Sequence, residues 1–134
     1  MNKNIHLIIL TPYGRYFEGD VDFLEVHSEK YNLGILPNHA PLISTLAISK
    51  MVIRMGSEET TYAIGGGIIN IEKDKTTLIL NSVEKADEID IKRAQEAKER
   101  AENRLSQKDE SIDMARAQAA LNRALNRLKV GSNN

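Results

Sequence analysis

All three prolines (Pro12, Pro37 and Pro41) and every aromatic residue, Tyr62 being the last, fall in the first half of the chain. From Ile68 to Val130 there is neither glycine nor proline. A segment rich in turn formers cannot run as long helices, and one without them cannot make the tight turns of a meandering sheet. The two parts must therefore fold by different rules. The composition changes near Val83 to Asp87, which predicts two units, residues 1–85 and 86–134.

The first unit carries the signals of an all-β domain. Ile5–Leu10 is an apolar run, and Asp20–His27 (DVDFLEVH) alternates apolar and polar residues, as a strand with one buried face requires. Ala47–Met55, Thr60–Ile64, Ile68–Ile71 and Thr76–Leu80 are further short β-branched runs. Gly14, Gly19, Asn32-Leu33-Gly34, Pro37-Asn38, Gly56-Ser57 and Lys73-Asp74-Lys75 separate them at hairpin-like intervals. Many short strands with regular turns predict a sandwich or flattened barrel.

The second unit reads as two helices. Asp87–Lys108 places Ala94, Ala97, Ala101 and Leu105 at steps of three and four. After a break with Ser111 and Asp113 as a capping signal, Met114, Ala117, Leu121, Ala124 and Leu128 continue the same rhythm. The connection is short, so the helices are expected to be antiparallel, folded about Lys108-Asp109 with Arg93 level with Leu125. The whole is thus an α+β chain: an antiparallel β-sandwich or flattened barrel followed by an antiparallel two-helix hairpin. Mostly alanine seams bury little area, so the hairpin is expected to be held weakly.

Several function classes are excluded by what the chain lacks. A formal net charge of -1 leaves no global field to attract nucleic acid. With no cysteine there are no disulfides, no thiolate nucleophile and no cysteine zinc site. The opening MNKNIHLIILTPYG has too short an apolar run for a signal core or for the roughly 20 residues of a membrane span. The expectation is a soluble protein that reaches a membrane only through a partner. His6, His27 and His39 show no metal-ligand spacing, so no metal is expected. No acid–base pair or catalytic triad is evident, so no catalytic residue is assigned. Gly65-Gly66-Gly67 lacks the lysine and the following helix of a phosphate loop and reads as a bulge or close backbone contact.

One charged group stands out. Arg93 and Arg100 lie seven residues apart on the first helix, with Asp90 one turn before Arg93. In a folded hairpin Arg123 and Arg127 come alongside. Several guanidiniums around one carboxylate form either an anion site suited to phosphate or a set of exposed salt bridges.

GILPNHAPLI (Gly34–Ile43), AIGGGIINI (Ala63–Ile71) and EIDIKRAQEAKERAENRL (from Glu88), in that order, resemble the epsilon subunit of the bacterial F-type ATP synthase across essentially the whole chain. Ile89-Asp90-Ile91-Lys92-Arg93-Ala94 is similar to the opening of that family's carboxyl-terminal domain. Asn38 stands where the family often has glycine, and Glu29-Lys30-Tyr31-Asn32 is an unusual lead into Gly34. The resemblance implies a sandwich of about ten strands and a non-catalytic rotor subunit of a proton-translocating synthase. Its partners would be the gamma subunit and the membrane c-ring, at the cytoplasmic face of the bacterial membrane. It also implies a mobile hairpin that inhibits ATP hydrolysis when extended toward an acidic loop of the beta subunit. No cofactor is required, but ATP is implied as a regulatory ligand of the folded hairpin, with family residues falling on Glu84, Asp90, Arg93, Ala94, Arg100, Arg123 and Arg127. Arg116, Arg123, Arg127 and Lys129 would meet the beta subunit. Asp90 would either accept from the sugar or base of the ligand or orient an arginine. A stand-alone nucleotide-binding regulatory domain without rotor partners is the alternative.

Overall fold

The computed structural model describes residues 3–107 and 109–132, and these form two compact units that divide between Lys85 and Ala86. The first contains eight strands: β1 (Ile5–Thr11), β2 (Gly14–Val21), β3 (Phe23–His27), β4 (Asn32–Ile35), β5 (Leu42–Met55), β6 (Glu58–Ile71), β7 (Thr76–Leu80) and β8 (Val83–Lys85). They form a continuous sheet in the order β2-β1-β7-β6-β5-β3-β4, with β8 also on β6.

The sheet closes into two layers because β5 and β6 are each 14 residues long and serve both. The Ile68–Ile71 end of β6 pairs with β7, which lies beside β1 and β2. The other end of the β5–β6 hairpin carries β3 on Val52–Arg54 and β8 on Tyr62–Ile64. Counting the two long strands once in each layer reconciles the expected ten strands with the eight observed. The separate runs Thr60–Ile64 and Ile68–Ile71 are one strand, continued through the three glycines. The β1–β7 pairing is parallel, not antiparallel as expected, since these strands are brought together by the fold and not by a hairpin.

Gly65–Gly67 is where the ribbon bends. Gly65 donates its N–H to the Ser82 carbonyl at 3.0 Å, and Asn81 donates to the Gly66 carbonyl at 2.9 Å, so the ladder runs unbroken from β7 to β8. Gly66 and Gly67 have φ of 82° and 155°. A Cβ on Gly67 would lie 2.0 Å from the Ile79 carbonyl oxygen, and one on Gly65 2.3 Å from Ser82 Oγ. The triplet is a close backbone approach, as its setting among strands indicated.

The core fills the space between the layers. Leu7, Ile9, Leu24, Val26, Ile35, Met51, Ile69 and Leu78 are fully buried, each contributing about 2 kcal/mol relative to exposure. Asn32-Leu33-Gly34, expected as a turn, forms strand β4 together with Ile35. The turn lies earlier, where Ser28 donates its N–H to the Tyr31 carbonyl and its Oγ accepts from the N–H of Lys30 and Tyr31. Asn38 has φ of 67°, a left-handed conformation that asparagine tolerates.

The second unit is a 3-10 turn (Ala86–Glu88) followed by α1 (Ile91–Ser106) and α2 (Met114–Ser132). The first helix starts later than Asp87 because Asp90 is extended as its N-cap, and Lys108 lies outside the described residues. Ala94, Ala101, Ala117 and Ala124 of the alanine seams are buried, and Leu105, Leu121 and Leu128 are half-buried beside them. Ser111 does not cap α2. It is held in a turn by Asp109, whose Oδ1 accepts its N–H at 2.9 Å, and Asp113 takes the capping role by accepting the Arg116 N–H at 3.1 Å.

Gly67→Ala is expected to destabilise the sheet unit by roughly 3 kcal/mol, because its methyl meets a backbone carbonyl that cannot move without breaking the β6–β7 ladder. Chemical denaturation followed by circular dichroism measures this; a midpoint within error of wild type would show that the bend relaxes freely.

Candidate functional site

Asp90 opens the site. With φ −80° and ψ 99° it sits outside the helix, and its Oδ1 accepts the Arg93 N–H at 3.0 Å as the N-cap of α1. Its carboxylate is exposed, with further lone pairs directed to solvent. Arg93 follows on the first turn, Ala94 is fully buried beneath it, and Arg100 emerges about two turns on. Arg123 and Arg127 lie one turn apart on α2, the first exposed and the second half-buried.

The register of the hairpin follows from a contact at its open end. A Cβ on Gly131 would lie 2.6 Å from Ile91 Cδ1 and 3.1 Å from Ile89 Cγ2. The end of α2 therefore meets the start of α1, and the helices are antiparallel. Stepping 1.5 Å per residue along both helices from that contact puts Arg93 about level with Arg127 and Leu128. This is nearly one turn beyond Leu125, because the connection is longer than a fold about Lys108-Asp109 assumes. Arg123 falls about level with Lys98, and Arg100 about level with Leu121. Asp90, Arg93, Ala94 and Arg127 thus gather at the open end of the hairpin, with Arg100 and Arg123 nearer its middle. Glu84 belongs to the other unit, on β8, half-buried and paired in register with Ala63.

Arg116 lies near the turn between the helices, whereas Lys129 is near the open end. Between Met114 and Ser132 the helix α2 carries Arg116, Arg123, Arg127 and Lys129 and no acidic residue. Among the described residues no group of histidines and carboxylates is arranged to hold a metal ion, and no helix is long and apolar enough to cross a membrane.

Two features of the sheet unit went unread in the sequence. The first is an exposed apolar stripe across β5, β6 and β7. Ile68 faces Ile79 directly across the ladder, and Ile43 lies one residue pair further on the same face. Their exposures of 72%, 44% and 53% for Ile43, Ile68 and Ile79 are high for isoleucine in a strand. The available signal was that Ile68-Ile69 and Leu78-Ile79-Leu80 are consecutive apolar residues, which must point to both faces.

The second is an ionic cluster on β1 and β2. His6 Nδ1 is 3.1 Å from Asp20 Oδ1 and its Nε2 is 2.9 Å from Glu18 Oε2, while Arg15 Nη1 is 2.7 Å from Glu18 Oε1. Both ring nitrogens can donate only when the imidazole is protonated. Hydrogen bonds to Asp20 and then to Glu18 accordingly raise the His6 pKa above its ordinary value. Asp109 moves the opposite way, held down by the Ser111 backbone N–H and then by the Ser111 side chain.

Residues 4–86 match the family described as ATP synthase, Delta/Epsilon chain, beta-sandwich domain, and residues 87–131 match its long alpha-helix domain. The chain belongs to the ATP synthase delta/epsilon family. It is similar to the ATP synthase epsilon chain of Halalkalibacterium halodurans, 42% identical over 103 residues that make up 77% of each chain. The epsilon chain of Priestia megaterium is 38% identical over 106 residues, 79% of each chain. Members of this family are non-catalytic chains of the synthase. Among solved structures, a chain of the Euglena gracilis mitochondrial ATP synthase (OSCP/F1/c-ring) superposes with a TM-score of 0.84 at 17% identity, covering 100% of this chain and 84% of that one. A chain of the Tetrahymena thermophila mitochondrial ATP synthase central stalk and c-ring gives 0.62 at 14% identity, covering 98% and 96%. At these identities the likeness is one of fold.

His6 makes the stability of the sheet unit depend on pH. Because its folded pKa is raised, its contribution is fully present below the unfolded value of about 6.5 and is lost as pH rises through the folded value. The melting temperature of wild type relative to His6→Gln is expected to be higher at pH 5.5 than at pH 8.5, roughly the two sides of that window. Nuclear magnetic resonance titration of the His6 ring checks the same point, since Asp20→Asn with Glu18→Gln must return its pKa toward the ordinary value.

Proposed function

We propose that the chain is a central-stalk subunit of a bacterial, proton-translocating ATP synthase, whose sheet unit attaches to the gamma subunit and the c-ring. The observation that carries this reading is that both halves of the chain, in order, match the two domains of one synthase family. The apolar stripe Ile43–Ile68–Ile79 supports it, since a sheet face of this kind suits burial against another protein. On this reading the chain is peripheral to the cytoplasmic face of the membrane and reaches it only through the complex. Ile68→Asp with Ile79→Asp should leave the isolated chain folded while abolishing co-purification with the gamma subunit. Retention of gamma by the double variant would remove the stripe from the attachment surface, and no co-purification of wild type would remove the rotor reading.

The helical unit is then the regulatory part. Folded, it brings Asp90, Arg93 and Arg127 to one end, with Arg100 and Arg123 nearer its middle, and the arginines are donors suited to the phosphates of ATP; Ala94, and Glu84 of the sheet unit, are further family positions. Extended, it separates the arginines and exposes Arg116, Arg123, Arg127 and Lys129 to an acidic surface of the beta subunit, blocking hydrolysis. A ligand shifts such an equilibrium only through its differential affinity, and separating the arginines makes that difference large.

Calorimetric titration of the isolated chain with ATP tests this arm. Arg93→Ala and Arg127→Ala should each weaken binding about tenfold or more, whereas Arg104→Ala, roughly 16 Å along α1 from Arg93, should not. Arg93→Lys should also weaken it, because the charge survives but the planar fork does not. Asp90→Asn retains a competent N-cap and so isolates the ligand role of the carboxylate from its helix role, whereas Asp90→Ala loses both. No binding heat and no melting shift with wild type at millimolar ATP would leave these residues as a cap and partner contacts.

A further inference from the structure

Ile89 and Ile91 flank the start of α1, and both touch the one glycine of the helical unit. A Cβ placed on Gly131 would stand 2.6 Å from Ile91 Cδ1, 3.1 Å from Ile89 Cγ2 and 3.3 Å from Ile89 Cβ. Two branched side chains therefore close over a helix surface that offers only a hydrogen. Ile89 and the adjoining Val130 are buried, at 8% and 4% exposure, and the 3-10 turn at Ala86–Glu88 packs on α2 beside them. Glycine is a poor helix former, and in the last turn of α2 it is explained by this close approach. The rest of the hairpin seam offers little competing hold, because its four buried seam positions are alanines.

We propose that Gly131, seated between Ile89 and Ile91, is the latch that holds the helical hairpin closed. The latch sits at the open end of the hairpin, opposite the connecting turn. Any separation of the helices that pivots at Gln107–Asp113 must break it first, because the free ends move furthest. It also sets the register, so it is what brings Arg127 level with Arg93. Gly131 and its two isoleucines are thus positioning residues for the arginine cluster and touch no ligand themselves. The latch stands on this packing alone; its effect on ATP rests on the nucleotide reading above.

The added atom of a larger residue collides first with Ile91 Cδ1, the far end of a half-exposed side chain, and next with buried Ile89. This order defines both a disruptive variant and its rescue. The chain contains no cysteine, so Lys92→Cys and Lys129→Cys, both exposed, can carry a pair of spin labels at the open end of the full-length protein. Wild type is expected to give one short label distance. Gly131→Val should lower the closed-to-open ratio by about tenfold or more, the effect of overpacking a fitted contact, and a long distance should appear. Ile91→Ala in the Gly131→Val background should restore the short distance by making room for the methyls.

An unchanged distance distribution in Gly131→Val overturns the latch, as does a double variant that is as open as the single one. If the single variant loses helicity in the far ultraviolet, recovery in the double variant supports the latch and failure to recover overturns it. Titration with ATP separates the two readings. Where wild type binds, the apparent affinity of Gly131→Val must fall in proportion to its closed fraction and recover in the double variant. Where wild type binds no ATP, the nucleotide reading falls while the label distances still decide the latch.

Discussion

The sheet unit depends on one long antiparallel ribbon that bends while its edge toward β7 and β8 stays hydrogen-bonded. β5 and β6 pair from Leu42–Ile71 to Met55–Glu58, and every other strand but β1, β2 and β4 attaches to one of them directly. If the ribbon stayed flat, β7 and β8 would extend one wide layer and expose one whole face of leucine and isoleucine. Bending it at Gly65–Gly67 turns that face onto itself. Leu7, Ile9, Ile69 and Leu78 then oppose Leu24, Val26, Ile35 and Met51 in one core cluster. Side chains at the corner would have to occupy the space of the Ile79 carbonyl and the Ser82 hydroxyl, so the bend requires glycine for steric reasons as well as for its φ.

What could be read in advance divides along a physical line. Strands with one face in the core, such as β3 with Leu24 and Val26 inward, repeat with period two and were legible. Strand β2 was not, because GRYFEGDV lies at a sheet edge, holds two glycines and buries only Val21 fully. A bulge that places Tyr16 out of register further spoils its alternation. β4 was hidden by Asn32 and Gly34, which read as turn formers although Leu33 and Ile35 face inward. Propensity describes the isolated segment, and edge strands are decided by their neighbours.

That Arg93 and Arg100 share one face of α1, and that Arg123 and Arg127 lie one turn apart on α2, was legible because helical spacing fixes such relations. The register between the helices was not, since the connecting turn is settled by local hydrogen bonds around Asp109 and Asp113 that spacing does not encode. The difference matters chemically. A shift of one turn moves a guanidinium by about 5 Å along the axis, more than the span of a bidentate phosphate contact. The notch at Gly131 was missed for a related reason: a glycine just past a helical pattern reads as a terminator, whereas here the helix continues through it to Ser132.

Charge and packing act in opposite directions on the helical unit. The arginines of its open end repel one another only modestly, because Arg93 is exposed and Arg127 half exposed to water, whose high dielectric weakens the interaction. They therefore cost the closed form little, and on the nucleotide reading proposed above they are the strong donors that an anion would meet. The alanine seam contributes little in return, so neither term alone fixes the conformation. A small contact at the far end of such a lever then carries disproportionate weight, since it opposes separation where the displacement is greatest. The sheet unit shows the contrary design, a dense core with backbone clashes awaiting any side chain at its bend. One chain thus combines a part whose geometry is over-determined with a part whose closed form rests on few and separable interactions. That is the combination a subunit needs if it must stay attached while its helices answer to a ligand.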